Sequence, residues 1–332
     1  MTTQQRPSFS IKNYIVKQLD ERSDIYWNYK DVKDHYFVLN KFKGKKRFVP
    51  TFAYRQVLYD TGDSKNAPVC RLCKNIKIGT NSVKLPLQLA GDRPTRQWFT
   101  DFRKLFDIEV NNFPYFNKQI LVCPKRHELF FSKKDLHLLF RFMRYSRFKS
   151  ALMQIVGSGA TISDHAHISI CDEDLPIFYL KRQKCFEFDG MSIFQTPDYP
   201  GSLYVFDPIN TNEKVSFIHR LIGKIKNKGF SYNLYIENTN TVYLILRKAE
   251  FSKCIHRKIG SVEVAGIFLG NALGTSTKDI VKLERIIEGR CNRMTAKNFL
   301  ESLHETVCSK AEGEFVEKIA NEFVVNDSDI NE

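Results

Sequence analysis

Runs with the composition of β-strands follow one another along this chain with too few helices between them for a parallel sheet. His35–Tyr59, Lys118–Pro124 and Gln154–Ser163 read as extended, and His165–Ile170 alternates strictly, as a strand does. Cys185–Phe194, Ser202–Asp207, Tyr232–Glu237 and Thr241–Arg247 read the same way. Helical periodicity falls at Ser132–Leu152, with Leu136, Leu139, Phe140 and Met143 on one face. It recurs at Lys214–Lys228, with Val215, Ile218, Leu221, Ile222 and Ile225. Ser132 and Asp135 have the spacing of a capping box. Parallel neighbours need a long crossover, usually a helix, whereas antiparallel strands close through a short turn. The order strand–strand–strand–helix–strand occurs twice, without a letter-by-letter repeat. The expectation is an α+β fold of two halves, each a mainly antiparallel sheet with packed helices. Loop and strand are expected over 80–110, another strand over Val262–Gly274, and helices over Thr277–Ile287 and Thr295–Val307.

With 332 residues, 42% of them hydrophobic and 27% charged, the chain has the make-up of a globular protein of about two domains. No apolar run approaches the ~18 residues of a membrane span, so no membrane partner is expected. Lys and Arg number 51 against 37 Asp and Glu, a net charge of +14 that suits polyanions: nucleotides, nucleic acid or acidic surfaces. Of eight cysteines only Cys70 and Cys73 are closely spaced, and the start of the chain has no apolar signal core. A reducing cytoplasm is the expected compartment, where Cys-x-x-Cys means metal or redox chemistry.

The sharpest chemical feature is Asp164-His165-Ala166-His167-Ile168-Ser169. On a strand, His165 and His167 point to one face. They can ligate a metal, or one can attack phosphorus as a neutral imidazole, or they can be a chance surface pair. The preceding Gly157-Ser158-Gly159-Ala160 can offer backbone amides to phosphate oxygens. Cys70 and Cys73 would need two more ligands to close a zinc site, and His127 and His165 are candidates. Lys41–Arg47, with Gly44 inside it, reads as a solvated hairpin tip or a phosphate-binding loop. Lys45, Lys46, Arg47, Lys125 and Arg126 can neutralise phosphate charge.

Cys-x-x-Cys, a strand ending in Pro124 and followed by His127, a helix, a Gly-rich strand and His-x-His together resemble the histidine-triad superfamily. The resemblance is closest to the branch of galactose-1-phosphate uridylyltransferase, diadenosine tetraphosphate phosphorylase and GDP-hexose phosphorylase. NNFPYFNKQILVCPKRHE is similar to a passage of that branch, and YNLYIENTNTVYLILRK with VEVAGIFLG to its second repeat, which lacks catalytic histidines. The resemblance spans roughly residues 35–290. The polar and aromatic residues before it read as an N-terminal arm at 1–34, and the resemblance implies a catalytic half with a zinc knuckle at 35–178. A second half follows at 179–310, and an acidic tail at 311–332.

By motif, the resemblance implies structural zinc on Cys70, Cys73, His127 and His165, and His167 as the nucleophile that carries a nucleotidyl group. Ser169 stands where transferases of the branch carry Gln, and Asp164 sits beside the site. The implied activity is nucleotidyl transfer or phosphorolysis of a nucleotide-sugar or dinucleoside polyphosphate, with phosphate or sugar phosphate as acceptor. The catalytic pair is His167 and Ser169. Gly157, Ser158, Gly159, Ala160, Lys125 and Arg126 would hold phosphate. Alternatives are a hydrolase of the same superfamily, or a zinc-stabilised nucleotide- or nucleic-acid-binding protein without catalysis. A duplicated chain can act as a monomer or pair as a homodimer.

Overall fold

A computed structural model of the protein describes residues 10–20, 33–39, 42–49, 70, 72, 93–111, 114–116, 118–160, 162–271 and 296–328. Helix α1 (Ile11–Asp20) precedes strands β1 (Lys33–Leu39) and β2 (Phe42–Val49). Helix α2 (Arg93–Leu105) runs directly into β3 (Phe106–Val110), followed by β4 (Ile120–Pro124), α3 (Lys133–Ser146), β5 (Ser150–Gln154) and β6 (His167–Cys171). After a 3₁₀ turn at Pro176–Tyr179 come β7 (Gln183–Phe188), β8 (Met191–Gln195), β9 (Leu203–Asp207), α4 (Asn212–Asn227), β10 (Ser231–Glu237) and β11 (Val242–Arg247). The chain continues through β12 (Phe251–Ser252), β13 (Arg257–Lys258), α5 (Ser261–Val264) and β14 (Ile267–Asn271). It closes with α6 (Ala296–Thr306), α7 (Lys310–Gly313) and α8 (Phe315–Ser328).

Among the described residues, nine strands form one sheet in the order β3-β4-β6-β5-β10-β11-β9-β8-β7. Every pairing in it is antiparallel. In β3-β4-α3-β5-β6 and in β8-β9-α4-β10-β11 the chain follows the same path: outer strand, next strand, helix, innermost strand, then the strand between. The two units meet where Leu152 of β5 pairs with Tyr235 of β10. The α+β class and the two antiparallel halves with packed helices read from the sequence are the fold that forms.

Strand alternation sorts the core into two layers. Ile120, Val122, Ala151, Met153, Ile168 and Ile170 face α1 to α4 and α8 in one buried cluster. Leu152, Cys171, Tyr235 and Tyr243 face the other way, against Phe42, Ile177, Phe268 and Phe299. On that second side lies a small sheet in which β2 pairs antiparallel with β1 and parallel with β14.

Several expectations are corrected. The helix from Ser132 has its capping box, Ser132 Oγ accepting from the Asp135 N–H and Asp135 accepting from the Ser132 N–H at 2.8 Å. It stops at Ser146, six residues before the expected end, where Arg147 turns left-handed at φ 59°. Residues Ser150–Gln154 are buried on both faces, so their apolar run carries no helical or strand period. Helix α2 occupies part of the region read as loop and strand, because its buried Trp98, Phe99 and Phe102 are interspersed with charge. The described part of Val262–Gly274, residues 262–271, is not one strand but α5, a turn and β14. The acidic C-terminal stretch is helical through Ser328, and Val316, Ile319 and Ala320 are buried. The helix expected over Thr277–Ile287 lies outside the described residues.

The basic run Lys41–Arg47 is no phosphate loop. Its described part is a strand, and Arg47 is buried between Asp34 (2.7 and 2.8 Å), Glu173 (2.8 and 3.1 Å) and the Tyr115 carbonyl (3.0 Å). Lys45 pairs with Asp34 at 3.1 Å. These cations neutralise carboxylates of the fold itself, tying β2 to the segment that leaves β6. Burial raises the Asp34 carboxyl, but the bonds and charges of Arg47 and Lys45 outweigh it and hold the pKa below its ordinary value.

Candidate active site

The site forms where the chain leaves β4 and enters β6. The Ala166 N–H donates to the Glu128 carbonyl at 2.6 Å, tying these two crossings together. His165 lies in the bend just before β6 and is fully buried. The strand begins at His167, two residues later than the alternation suggests. His165 Nε2–H donates to the Pro124 carbonyl at 3.0 Å, which puts the lone pair on Nδ1, 3.4 Å from Cys70 Sγ. Burial lowers the imidazole pKa against the opposing effect of the Pro124 bond, favouring the neutral form that can ligate a metal.

The His127 ring is edge-on to His165, with centroids 5.2 Å apart. The ligating atoms of Cys70, His127 and His165 all lie within 4.8 Å of one another. A thiol and two imidazoles are the donor set of a structural zinc site, and the Pro124 carbonyl is the outer partner that fixes a ligating imidazole. Cys73 lies outside the described residues. Around Cys70, Leu72 and Cys123 are buried, with Leu121 and Ile162 against them.

His167 follows on β6 and is 6% exposed. Its Nδ1–H donates to the His165 carbonyl at 2.9 Å, so the lone pair is on Nε2. Ser169, the next residue on the same face, is buried in a knot of its own. Gln119 Nε2 donates to its Oγ at 3.2 Å, and the Tyr115 hydroxyl lies 3.3 Å away. Gln119 Oε1 also accepts from the Tyr115 N–H at 2.9 Å, so Ser169 anchors the turn before β4.

A residue absent from the sequence reading faces His167. Gln154 on β5 is its direct cross-strand partner, so the two side chains leave the same face of the sheet. Gln154 is also 6% exposed, and its side-chain amide makes no hydrogen bond among the described residues. Only the pairing register reveals it, because twelve residues separate the pair in the chain.

The Gly-rich turn packs closely against the second half of the chain. Gly157 and Gly159 have φ of +79° and +78°, which suits glycine. A Cβ on Gly159 would lie 1.9 Å from the Ile259 carbonyl oxygen, and the Gly159 N–H already donates to the Glu250 carboxylate at 3.0 Å. Ser158 is buried and bonds the Ile155 carbonyl, and Ala160 is buried. The Ser158 carbonyl accepts from Asn233 and Arg247, at 3.2 Å each. Gly157, Ser158, Gly159 and Ala160 thus make a packed joint with the second half. Lys125 and Arg126 follow β4 beside His127, exposed, and pair loosely with Asp107 (3.4 Å) and Asp135 (3.4 Å). Asp164 is exposed.

No family model matches this chain, and no curated protein matches it in sequence. Solved structures do. The crystal structure of yeast Ap4A phosphorylase Apa2 with AMP superposes with a TM-score of 0.53 at 13% identity, over 89% of this chain and 96% of that one. The complex of the same yeast enzyme with Ap4A gives a TM-score of 0.52 at 10% identity, over 87% and 98%. The chain has the fold of an Ap4A phosphorylase. The correspondence runs over most of both chains. Among the described residues no helix is long and apolar enough to cross a membrane.

Proposed function

We propose that the protein is a nucleotidyltransferase of the phosphorylase type that cleaves a dinucleoside polyphosphate, or a nucleotide-sugar, through a nucleotidyl group carried on His167. The observation that supports this most is the bond from His167 Nδ1–H to the His165 carbonyl. It holds the imidazole in the tautomer whose Nε2 can attack phosphorus. The yeast enzyme with this fold is described in complex with Ap4A and with AMP, which favours dinucleoside polyphosphates as the substrate class.

In the proposed reaction Nε2 attacks the α-phosphorus, an N–P bond forms and the P–O bond to the remaining polyphosphate breaks. The leaving polyphosphate takes the electron pair. Phosphate, or a sugar phosphate, then attacks the same phosphorus and releases the nucleotide from His167. Two in-line displacements predict ping-pong kinetics and net retention at phosphorus. As the imidazole gains positive character, the His165 carbonyl stabilises its Nδ1–H. Gln154 offers an amide N–H to an oxygen of the reacting phosphoryl group, where preorganised donors act most strongly. Lys125 and Arg126 supply positive charge at the mouth of the site. Cys70, His127 and His165, with Cys73 as the fourth ligand, would hold zinc. The metal would supply a structural clamp that fixes the bend carrying His167.

The test is covalent capture. Incubation with Ap4A labelled in the α-phosphate, without phosphate, should leave an acid-labile nucleotidyl adduct on the protein, and His167→Ala should leave none. Addition of phosphate should discharge the adduct to the nucleoside diphosphate. A second reading is a nucleotide-binding protein without catalysis, favoured by the Gly159 amide being occupied by Glu250 and by the engagement of Ser169 with Gln119. Tight AMP binding with no adduct on the native chain would establish that reading instead.

A further inference from the structure

Helices α3 and α4 lie on the sheet face opposite His167, and they run side by side in opposite directions. The C-terminal half of α3 meets the start of α4, where His137, Arg141 and Arg144 line a cavity of about 90 Å³ with Asn210, Thr211 and Asn212. The N-terminal end of α3 approaches the later turns of α4, where Lys133 and Lys226 both act on His219. The seam is therefore lined by six basic side chains: Lys133, His137, Arg141, Arg144, His219 and Lys226. Among the described residues no carboxylate pairs with Lys133, Arg141 or Lys226, and Glu213 at the start of α4 is the acid that acts on this group.

The positive charge is concentrated against its own repulsion. The pKa of His219 is lowered by burial and then by Lys133 and Lys226; that of His137 is lowered by burial and then by Lys133 and Arg141. The Lys226 ammonium stands 3.2 Å above the Phe130 ring, with burial lowering its pKa. Arg144 is held by the Asn240 side chain at 3.3 Å and the Asn210 carbonyl at 3.4 Å, leaving its charge uncompensated by those neutral groups. From Lys133 to Arg144 the helix rises about 16 Å, enough to follow several phosphates. Beside Arg144, Tyr145 is 47% exposed and is stacked on Trp98 at 5.0 Å, which fixes its ring as a platform.

We propose that the α3–α4 seam is a binding surface for single-stranded nucleic acid, its phosphodiesters lying along the basic side chains and a base stacking on Tyr145. Charge complementarity sets the occupant as a polyanion, and the exposed aromatic beside the charges selects a strand with unstacked bases. This surface is separate from the site of His167, so it stands or falls independently of the reaction proposed there.

The test is fluorescence anisotropy of a labelled oligothymidylate of about 20 nucleotides with the full chain, titrated with salt. The combined variant Lys133→Glu, Arg141→Glu, Lys226→Glu should weaken binding at least ~10-fold and make the log–log salt dependence shallower by about 2, the effect of three phosphate contacts on a single strand. Saturating AMP should not displace the oligonucleotide, and labelling of His167 by Ap4A should survive in the variant. If the triple variant does not fold, Arg141→Gln, at an exposed position, should weaken binding about 2- to 3-fold. Unchanged affinity in the variant that folds overturns the proposal. So does displacement by AMP, or retention on phosphatidylserine vesicles with no oligonucleotide binding.

Discussion

Gln154 and His167 face one another across β5 and β6, and the unbonded amide of Gln154 has a specific task in the proposed reaction. Gln154→Ala should slow formation of the covalent adduct by about 10²-fold, the loss expected for one preorganised donor, while leaving the melting temperature nearly unchanged. Rapid-quench measurement of adduct formation checks the first expectation and calorimetry the second. Glu109 makes a contrasting case. Burial, and then the neighbouring Asp107 charge, raise its pKa from 4.5 to about 7. A raised carboxyl pKa means that the folded state binds the proton more tightly, so stability falls as pH rises between about 4.5 and 7. Glu109→Gln should therefore match the native chain in stability near pH 4 and exceed it above pH 7 by about 2–3 kcal/mol, as read from urea unfolding. At this scale the sequence shows much. Cys70, His127 and His165, which the sequence offers as separate candidates, come together with their ligating atoms within 4.8 Å of one another. Gln154 stays hidden because cross-strand register depends on pairing between segments, which no local pattern records.

The Gly157–Ala160 turn shows how one composition serves two physical ends. Glycines before a histidine suit a phosphate cradle, and they suit equally a tight joint that needs positive φ and close backbone approach. The second use is visible at Gly159, where the Ile259 carbonyl occupies the space beside it and Glu250 takes its amide. Gly159→Ala should destabilise the chain by about 2–3 kcal/mol, since it adds backbone strain and a clash with main chain; thermal unfolding measures it. Helices α3 and α4 are legible because their apolar positions repeat at helical spacing and a cap marks the first. Helix α2 is not, because only the packing of Trp98, Phe99 and Phe102 against the core picks its buried side out of a charged segment.

Across the whole molecule, a cluster that gathers Cys70 with the ends of β4 and β6 links parts of the chain that are distant in sequence. Purified protein should carry about one zinc per chain by elemental analysis, and Cys70→Ser should lower metal content and melting temperature together. Full stability in a metal-free preparation would show that the thiol and imidazoles need no ion. The antiparallel class was readable from the shortage of crossovers. The joining of both halves into one sheet, and the parallel pairing of β2 with β14, were not, since they depend on contacts more than 75 and 200 residues apart. The two half-sheets differ most plainly at one connection. Residues 155–166 join β5 to β6, whereas residues 238–241 suffice between β10 and β11. Hairpin length thus tells the copy whose connection carries His165 from the copy whose connection carries no histidine. Distant relatives, whose letters have drifted beyond recognition, should remain detectable by that asymmetry of spacing.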